Sequence, residues 1–324
     1  MESSVISTDH VSVPPDLSSY DHRWPRRLIF LAVLISTIGL LGTPDFVSSV
    51  VESLIRREGS GGLLHPAILI ASVLIFFWER YWPVGDRQVS GPAQLTDLLW
   101  WLTNATMAVG APFLAANLMQ KTTAAVTTET EPFDSLGGLP WVMRYTFAIL
   151  TVDLVRYAIH VCRHKVPLLW RFHATHHSTR ELNQFSAYRM HPVDYAFSVA
   201  VAAIPFSLFQ IPVEGFVIYQ VITGVLGRTH HAAVSWRWPI LNRVLVSPQA
   251  HRVHHSIDES HYHKNYGLTF SLWDRLFGTY HDPEPDEVTP ITGVPGFASP
   301  EAKRYRDILY VYVHQLIAPL RKMK

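Results

Sequence analysis

Cysteine occurs once in the 324 residues, at Cys162, so the chain can build neither an intramolecular disulfide framework nor a cysteine-based zinc site. Charge is also scarce. Only 16% of residues are Asp, Glu, Lys or Arg, and they cancel to a net +1. That balance gives no electrostatic footprint for nucleic acid, which is not expected as a partner. No G-x-G-x-x-G run is present for a nucleotide cofactor, and no histidine pair outside the clusters described below is placed to hold haem. A cleavable leader is not expected, because the polar N-terminal tail is long and no small-residue cleavage site follows the first apolar run.

Apolar surface is what the chain has in quantity. Hydrophobic residues make up 48% of it, and the mean hydropathy of +0.12 is high for a soluble protein. Ten Trp, thirteen Tyr and sixteen Phe suit membrane interfaces and apolar cavities. Residues 1–27 read as a mobile polar tail, and 28–92 as N-terminal transmembrane helices. Residues 93–282 form the main helical domain, and 283–324 a C-terminal tail with a short helix over 301–319. The expected spans are Leu28 to Gly42, His65 to Trp82, Asp97 to Met119 and Trp141 to His160. The stretch Val193 to Leu226, interrupted by Pro205 and Pro212, is expected to form a hairpin of two short spans.

Arg23, Arg26 and Arg27 precede the first span. Arg156, Arg163, Lys165, Arg171 and Arg180 gather at the end of the fourth, which places both regions in the cytoplasm by the positive-inside rule. Arg56 and Arg57 fall on the other side and depart from it. The fold expected is an all-α integral membrane protein, multi-pass, with a transmembrane helical bundle and a cytoplasmic histidine-rich helical cap.

That cap carries the chemistry. His251-Arg252-Val253-His254-His255 repeats the H-x-x-H-H spacing of His173-Ala174-Thr175-His176-His177, and His160 with His164 precedes both as H-x-x-x-H. On a helix, positions i, i+3 and i+4 share a face, so each H-x-x-H-H is expected to aim three imidazoles at one point. Neutral imidazole is the commonest metal ligand, and eight histidines exceed what one ion can use. The pattern therefore points to a two-metal site. By ligand softness such a site suits Zn, Cu, Fe or Ni. Its place beside apolar spans favours paired iron with O₂ as co-substrate and a lipid within reach.

The order H-x-x-x-H, H-x-x-H-H, H-x-x-H-H resembles the fatty acid hydroxylase/sterol desaturase superfamily of integral-membrane non-haem di-iron oxygenases. So do the runs Val246 to Ser256, Asn265-Tyr266-Gly267 and Trp273-Asp274-Arg275-Leu276-Phe277-Gly278-Thr279-Tyr280. The resemblance covers roughly residues 95–282 and implies a di-metal catalytic domain over 93–282. It implies as ligands His160, His164, His173, His176, His177, His231, His251, His254 and His255. His231 matches the family's H-x-N better than His230, although Ala233 stands where Asn is expected. His191, His230 and His263 are further candidates, His191 as a ligand or a substrate-pocket residue.

Ligating histidines need an acceptor for the second ring N–H. Asp153, Asp194 and Asp274 are candidates, Asp153 by its i+7 relation to His160. Trp170, Tyr188, Tyr195 and Trp273 are candidates to line a lipid pocket. Hydroxylation or desaturation of a sterol, fatty acyl or related apolar substrate is the expected activity. Electrons would come from an external ferredoxin- or cytochrome-type donor with its reductase. The alternative is a histidine-rich membrane metal transporter or metal-binding protein without oxygenase activity.

Overall fold

The computed structural model describes residues 66–84, 89–107, 139–208, 213–236, 238, 240–284, 289–297 and 301–321. The expected tail, the span Leu28 to Gly42 with its flanking arginines, Arg56, Arg57 and the turn at Pro212 lie outside them. All described residues fall in one unit of the chain, Pro44–Lys324. Among them the regular structure is helical, and extended backbone pairs only in isolated bridges such as Pro83 with Val234 and Leu245 with Phe270.

Helix α1 runs Pro66–Tyr81 and α2 covers residues 91–107. Helix α3, Trp141–Lys165, is 25 residues long and ends at a Val-Pro step. A residue before proline is pushed out of the helical region. Val166 accordingly sits at φ −95°, ψ 115°, and Pro167 opens α4, Pro167–His177, at a position where its missing N–H costs nothing. This one corner sets the H-x-x-x-H at the end of α3 beside the first H-x-x-H-H at the end of α4.

Helices α5 (Pro192–Leu208) and α6 (Val213–His231) follow, with Pro205 kept inside α5. Asp194 near the start of α5 bonds His173, and His231 at the end of α6 lies near His176, so both outer ends of the pair sit at the histidines. Both outer ends of the expected hairpin thus return to one place, as that expectation requires, while the joining residues 209–212 lie outside the described ones. Helix α7, Pro248–His254, is capped by Ser247, whose hydroxyl accepts from Ala250 N (3.2 Å). Short α8 (Leu272–Leu276) carries the Trp273–Asp274 pair, and α9 (Ile308–Ile317) lies within the predicted terminal helix.

Helix α3 packs on α4 and α5, while α6 packs on α1, on α7 and on a 3₁₀ turn at Gln184–Tyr188. Ala148, Val152, Ala202 and Tyr219 form the core between α3, α5 and α6. Gly224 permits the α1–α6 approach, since a Cβ there would stand 2.7 Å from Ile68 Cδ1.

Among the described residues one helical stretch, Tyr145–Lys165, is long and apolar enough to cross a membrane. Large apolar side chains face outward on α1 (Val73, 52% exposed), on α3 (Met143, 54%) and on α5 (Val193, 51%). Exposed apolar surface on neighbouring helices is what a bilayer would cover.

Candidate metal centre

The histidines converge from four helices into two buried groups. Ring nitrogens of His160, His164, His173 and His177 lie within 4.8 Å of one another, and so do those of His176, His231, His251 and His255. His254 joins the edge of the first group, its Nε2 3.1 Å from His160 Nε2 and its ring 4.7 Å from that of His164. The groups touch where His177 stacks on His255 at 4.2 Å.

Each H-x-x-H-H is therefore divided, which corrects the expectation that all three of its imidazoles share a point. His173 and His177 serve one group and His176 the other, while His251 and His255 serve one and His254 the other. Helical geometry accounts for it. Residues i and i+4 differ by about 40° around the axis, whereas i+3 stands about 100° from i+4. Two rings of each triplet are thus near neighbours and the third leans away. Two such helices facing each other supply both groups.

The hydrogen bonds behind the rings fix their tautomers. His160 Nδ1 donates to the Tyr266 carbonyl (2.7 Å), His254 Nδ1 to the Lys264 carbonyl (2.8 Å) and His173 Nδ1 to Asp194 Oδ2 (3.0 Å). These partners can only accept, so the proton sits on Nδ1 and each Nε2 turns a lone pair inward. His231 Nδ1 meets Ser186 Oγ at 3.0 Å, and that hydroxyl already donates to Asn183 O (2.7 Å), which gives His231 the same tautomer.

The 3.1 Å approach of His160 and His254 is thus a meeting of two lone pairs, which repel unless a cation lies between them. The buried Nε2 atoms of His164, His173 and His177 have no protein partner. A metal bound by imidazoles at about 2.0–2.1 Å satisfies orphaned nitrogens of this kind. The donor set fits two ions.

Behind this lies a support layer that the sequence motifs only partly expose. Asp194 also pairs with Arg163 Nε (2.6 Å) and so ties α5 to α3 at the first group. Asp274 accepts from Tyr266 N, Gly267 N and the Thr279 hydroxyl, each at 2.7 Å. It thereby holds the loop whose carbonyls serve His160 and His254. Asn265, at φ 55°, clamps the same loop through Ala250 O (3.1 Å) and His281 O (3.0 Å). Gly267 has no room for a side chain, since a Cβ would meet Asp274 Oδ2 and Phe270 O at 2.7 Å. These contacts tie the Asn-Tyr-Gly run to the Trp-Asp pair.

Asp153 does not play the part expected of it. Its Oδ2 accepts from Trp273 Nε1 (2.9 Å) and Phe270 N (3.2 Å), which anchors the signature segment to α3 instead of orienting a histidine. The i+7 relation to His160 leaves the two residues two turns apart, too far for direct contact.

The three further candidates stand outside both groups. His191 donates from Nε2 to Leu316 O (3.1 Å) and accepts Val193 N–H at Nδ1 (3.2 Å), so neither ring nitrogen is free for a metal. His230 lies 5.6 Å from the ring of His251 and faces a cavity. His263, at φ 62°, contacts the Tyr266 hydroxyl (2.8 Å). Ala233, in place of the expected Asn, gives its N–H to Glu79 Oε1 (2.9 Å), which also takes Gln184 N–H (2.8 Å). Ser186 and the two loop carbonyls had no spacing signal, and sequence reasoning missed them.

Two cavities flank the centre. A chamber of 160 Å³ between α3, α5 and α6 touches both groups and includes Tyr188 and Tyr195. One of 250 Å³ on another side reaches His164, His177 and His254 past Trp170 and Tyr262. Trp273 lines neither and packs with Tyr157 and Tyr266.

Burial holds the cap histidines below their ordinary value of 6.5, His176 at about 3 and His254 at about 4, with His173, His177, His251 and His255 also well below it. A folded-state pKa below the unfolded one means that the unfolded chain takes up more protons as pH falls. Metal-free protein should therefore lose stability from about pH 6.5 down to about pH 4, each such histidine adding a slope of up to about 1.4 kcal/mol per pH unit. Thermal unfolding of chelator-treated protein in detergent between pH 7.5 and 5 checks this, and a flat midpoint would contradict it.

A family model described as fatty acid hydroxylase matches residues 145–279. Ornithine lipid hydroxylase OlsE of Rhizobium tropici is 30% identical over 225 residues, 68% of this chain and 65% of its own length. Alkylglycerol monooxygenase of Homo sapiens is 30% identical over 152 residues, 45% of this chain and 33% of its own. Delta(7)-sterol 5(6)-desaturase of Leptosphaeria maculans is 30% identical over 144 residues, 44% of this chain and 38% of its own. The chain thus spans 65% of the first of these relatives and about a third of the other two. No solved structure matches.

Proposed function

The chain belongs to the fatty acid hydroxylase family of membrane-bound oxidoreductases, and on that premise we propose that it is an O₂-dependent non-haem di-iron oxygenase that hydroxylates or desaturates a lipid. The observation that carries the proposal is the pair of histidine groups with inward lone pairs, two of which meet at 3.1 Å within the first group, at His160 and His254. Iron suits an all-imidazole donor set in a chain whose one cysteine, Cys162, is exposed and belongs to neither group. Three relatives named for an ornithine lipid, an alkylglycerol and a sterol support a lipid as the substrate class.

His160, His164, His173, His177 and His254 would hold one iron, and His176, His231, His251 and His255 the other. Bound there, the pair supplies the activation of O₂ and the power to attack an unactivated C–H bond. The protein's own part is orientation. Asp194, Ser186 and the Tyr266 and Lys264 carbonyls keep the protons on Nδ1, which makes each Nε2 a better donor and fixes its aim. The chamber between α3, α5 and α6 would present the lipid to both groups while shielding them from bulk water.

In hydroxylation one atom of O₂ enters the product and the other leaves as water, with two electrons and two protons supplied. Desaturation uses the same inputs and releases two waters. Electrons come from a ferredoxin- or cytochrome-type donor on the cytoplasmic side, where the positive-inside rule puts the cap.

Purified protein given such a donor with its reductase, O₂ and a membrane lipid extract should yield a product altered by one oxygen atom or by two hydrogens. Metal flux across proteoliposomes without any lipid change, with a competent donor present, would reverse the conclusion in favour of a transporter.

A further inference from the structure

The chamber beside the histidines has a largely apolar lining, yet a small set of polar side chains stands within it. Arg156 lines it, one turn before His160 on the same face of α3, and Gln220, Thr223 and Ser198 line it from α6 and α5. No Asp or Glu among the described residues lines it. Arg163, the other arginine at its wall, is neutralised by Asp194 at 2.6 Å. Arg156 instead hydrogen-bonds the neutral hydroxyl of Tyr219 (3.1 Å); Asp153, one turn away, lies within its electrostatic reach but spends its hydrogen bonds on Trp273 and Phe270. A guanidinium within a membrane-crossing stretch, Tyr145–Lys165, is costly and marks function by default.

The depth of the chamber is limited. About two turns beyond His160 it meets the core of Ala148, Val152, Ala202 and Tyr219, and Ala202 belongs to both. Its width is kept by Gly227. A Cβ there would meet nothing within 4 Å, so unlike Gly224 this glycine serves no packing contact and leaves open volume next to the histidines. Glycine inside a helix weakens it, so the lost side chain needs a reason, and the free space supplies one.

We propose that the substrate is an amphiphile whose anionic head, a carboxylate or phosphate, enters this chamber and is held by Arg156, so that the carbon oxidised lies within a few bonds of the head. An arginine fork matches such oxygens, and its place one turn from His160 puts the head beside the metals and leaves the tail outside. The word substrate rests on the oxygenase function proposed above; the binding does not.

Metal-loaded protein in phosphatidylcholine nanodiscs is titrated at pH 8 with myristate, with tetradecanol of equal chain length, and with cholesterol. Myristate should bind roughly ten- to a hundredfold more tightly than tetradecanol. Arg156→Gln should erase that preference with metal content unchanged, and Gly227→Leu should weaken myristate at least about tenfold by filling the chamber. If Arg156→Gln loses metal, Gly227→Leu decides alone.

With a donor and O₂, myristate should be oxidised at carbons near the carboxylate. A preference that survives Arg156→Gln, binding untouched by Gly227→Leu, or oxidation at mid-chain each overturns the proposal. Anion preference without oxidation of any lipid defeats the oxygenase function and leaves the chamber assignment standing. Oxidation of a lipid extract with no anion preference does the reverse.

Discussion

His176→Ala should leave the protein inserted in the membrane with about one metal ion per chain in place of two, and with turnover below about a hundredth of the parent. His176 is one of four histidines in its group, its ring 4.8 Å from both His231 and His255. Three imidazoles remain after the change, but the vacated side faces the chamber, where water or lipid would enter. The five histidines of the other group are untouched, so one ion should stay. A reaction that uses both ions to share electrons fails when either is missing. Metal analysis and donor-driven O₂ consumption on the same sample check the two halves. Two ions retained, or full activity, would remove His176 from the ligand set.

His254→Ala carries the same logic to the other group and is the sharper test of how the triplets divide. If all three histidines of each H-x-x-H-H served one ion, His251→Ala and His254→Ala would deplete the same metal. The arrangement around His160 says otherwise, since His254 faces His160 and His251 faces His231 at 2.9 Å. The two variants should leave different ions behind, distinguishable by their spectra.

This division marks the boundary of what the sequence disclosed. The histidine spacing made the gathering of these rings legible, because i, i+3 and i+4 can be read directly from a helix. The sharing between ions was not, because it depends on how two helices face each other, and spacing within one helix says nothing of its neighbour. The hairpin over 193–226 was legible through a need: both its ends had to return to one centre.

Asp194 was recognised because it lies near the histidines in sequence. Ser186 was invisible because a serine in a 3₁₀ turn carries no signal of the ring it will meet 45 residues later. Asp153 misled for a related reason. Its place along α3 is right for the centre, but the indole of Trp273, 120 residues away, claims its carboxylate. The signature runs were legible as pattern and silent as mechanism.

Asp274 is where that pattern acquires a mechanism, and its removal should be the most destructive change outside the histidines. Asp274→Ala leaves Tyr266 N–H, Gly267 N–H and the Thr279 hydroxyl without their 2.7 Å acceptor in a site that is 1% exposed. Each unsatisfied buried donor costs about 1–3 kcal/mol, so a loss of roughly 3–9 kcal/mol is expected before any relaxation. Asp274→Asn should recover only part of this, because its oxygen can keep Tyr266 N–H and the Thr279 hydroxyl while its amide nitrogen would confront the Gly267 N–H.

The damage should also be selective. Lys264 and Tyr266, whose carbonyls orient His254 and His160, ride on this loop, whereas His231 is oriented by Ser186 from a different element. The first ion should therefore weaken by about ten- to a hundredfold while the second holds, the usual cost of losing the hydrogen bonds that orient ligating rings. Metal titration against a graded chelator, read beside the thermal midpoint, separates the two effects. Equal weakening of both ions would mean that Asp274 supports only the fold. An unchanged midpoint with both ions retained would mean that the loop needs no such support, and the link from Trp-Asp through Asn-Tyr-Gly to the histidines would fall.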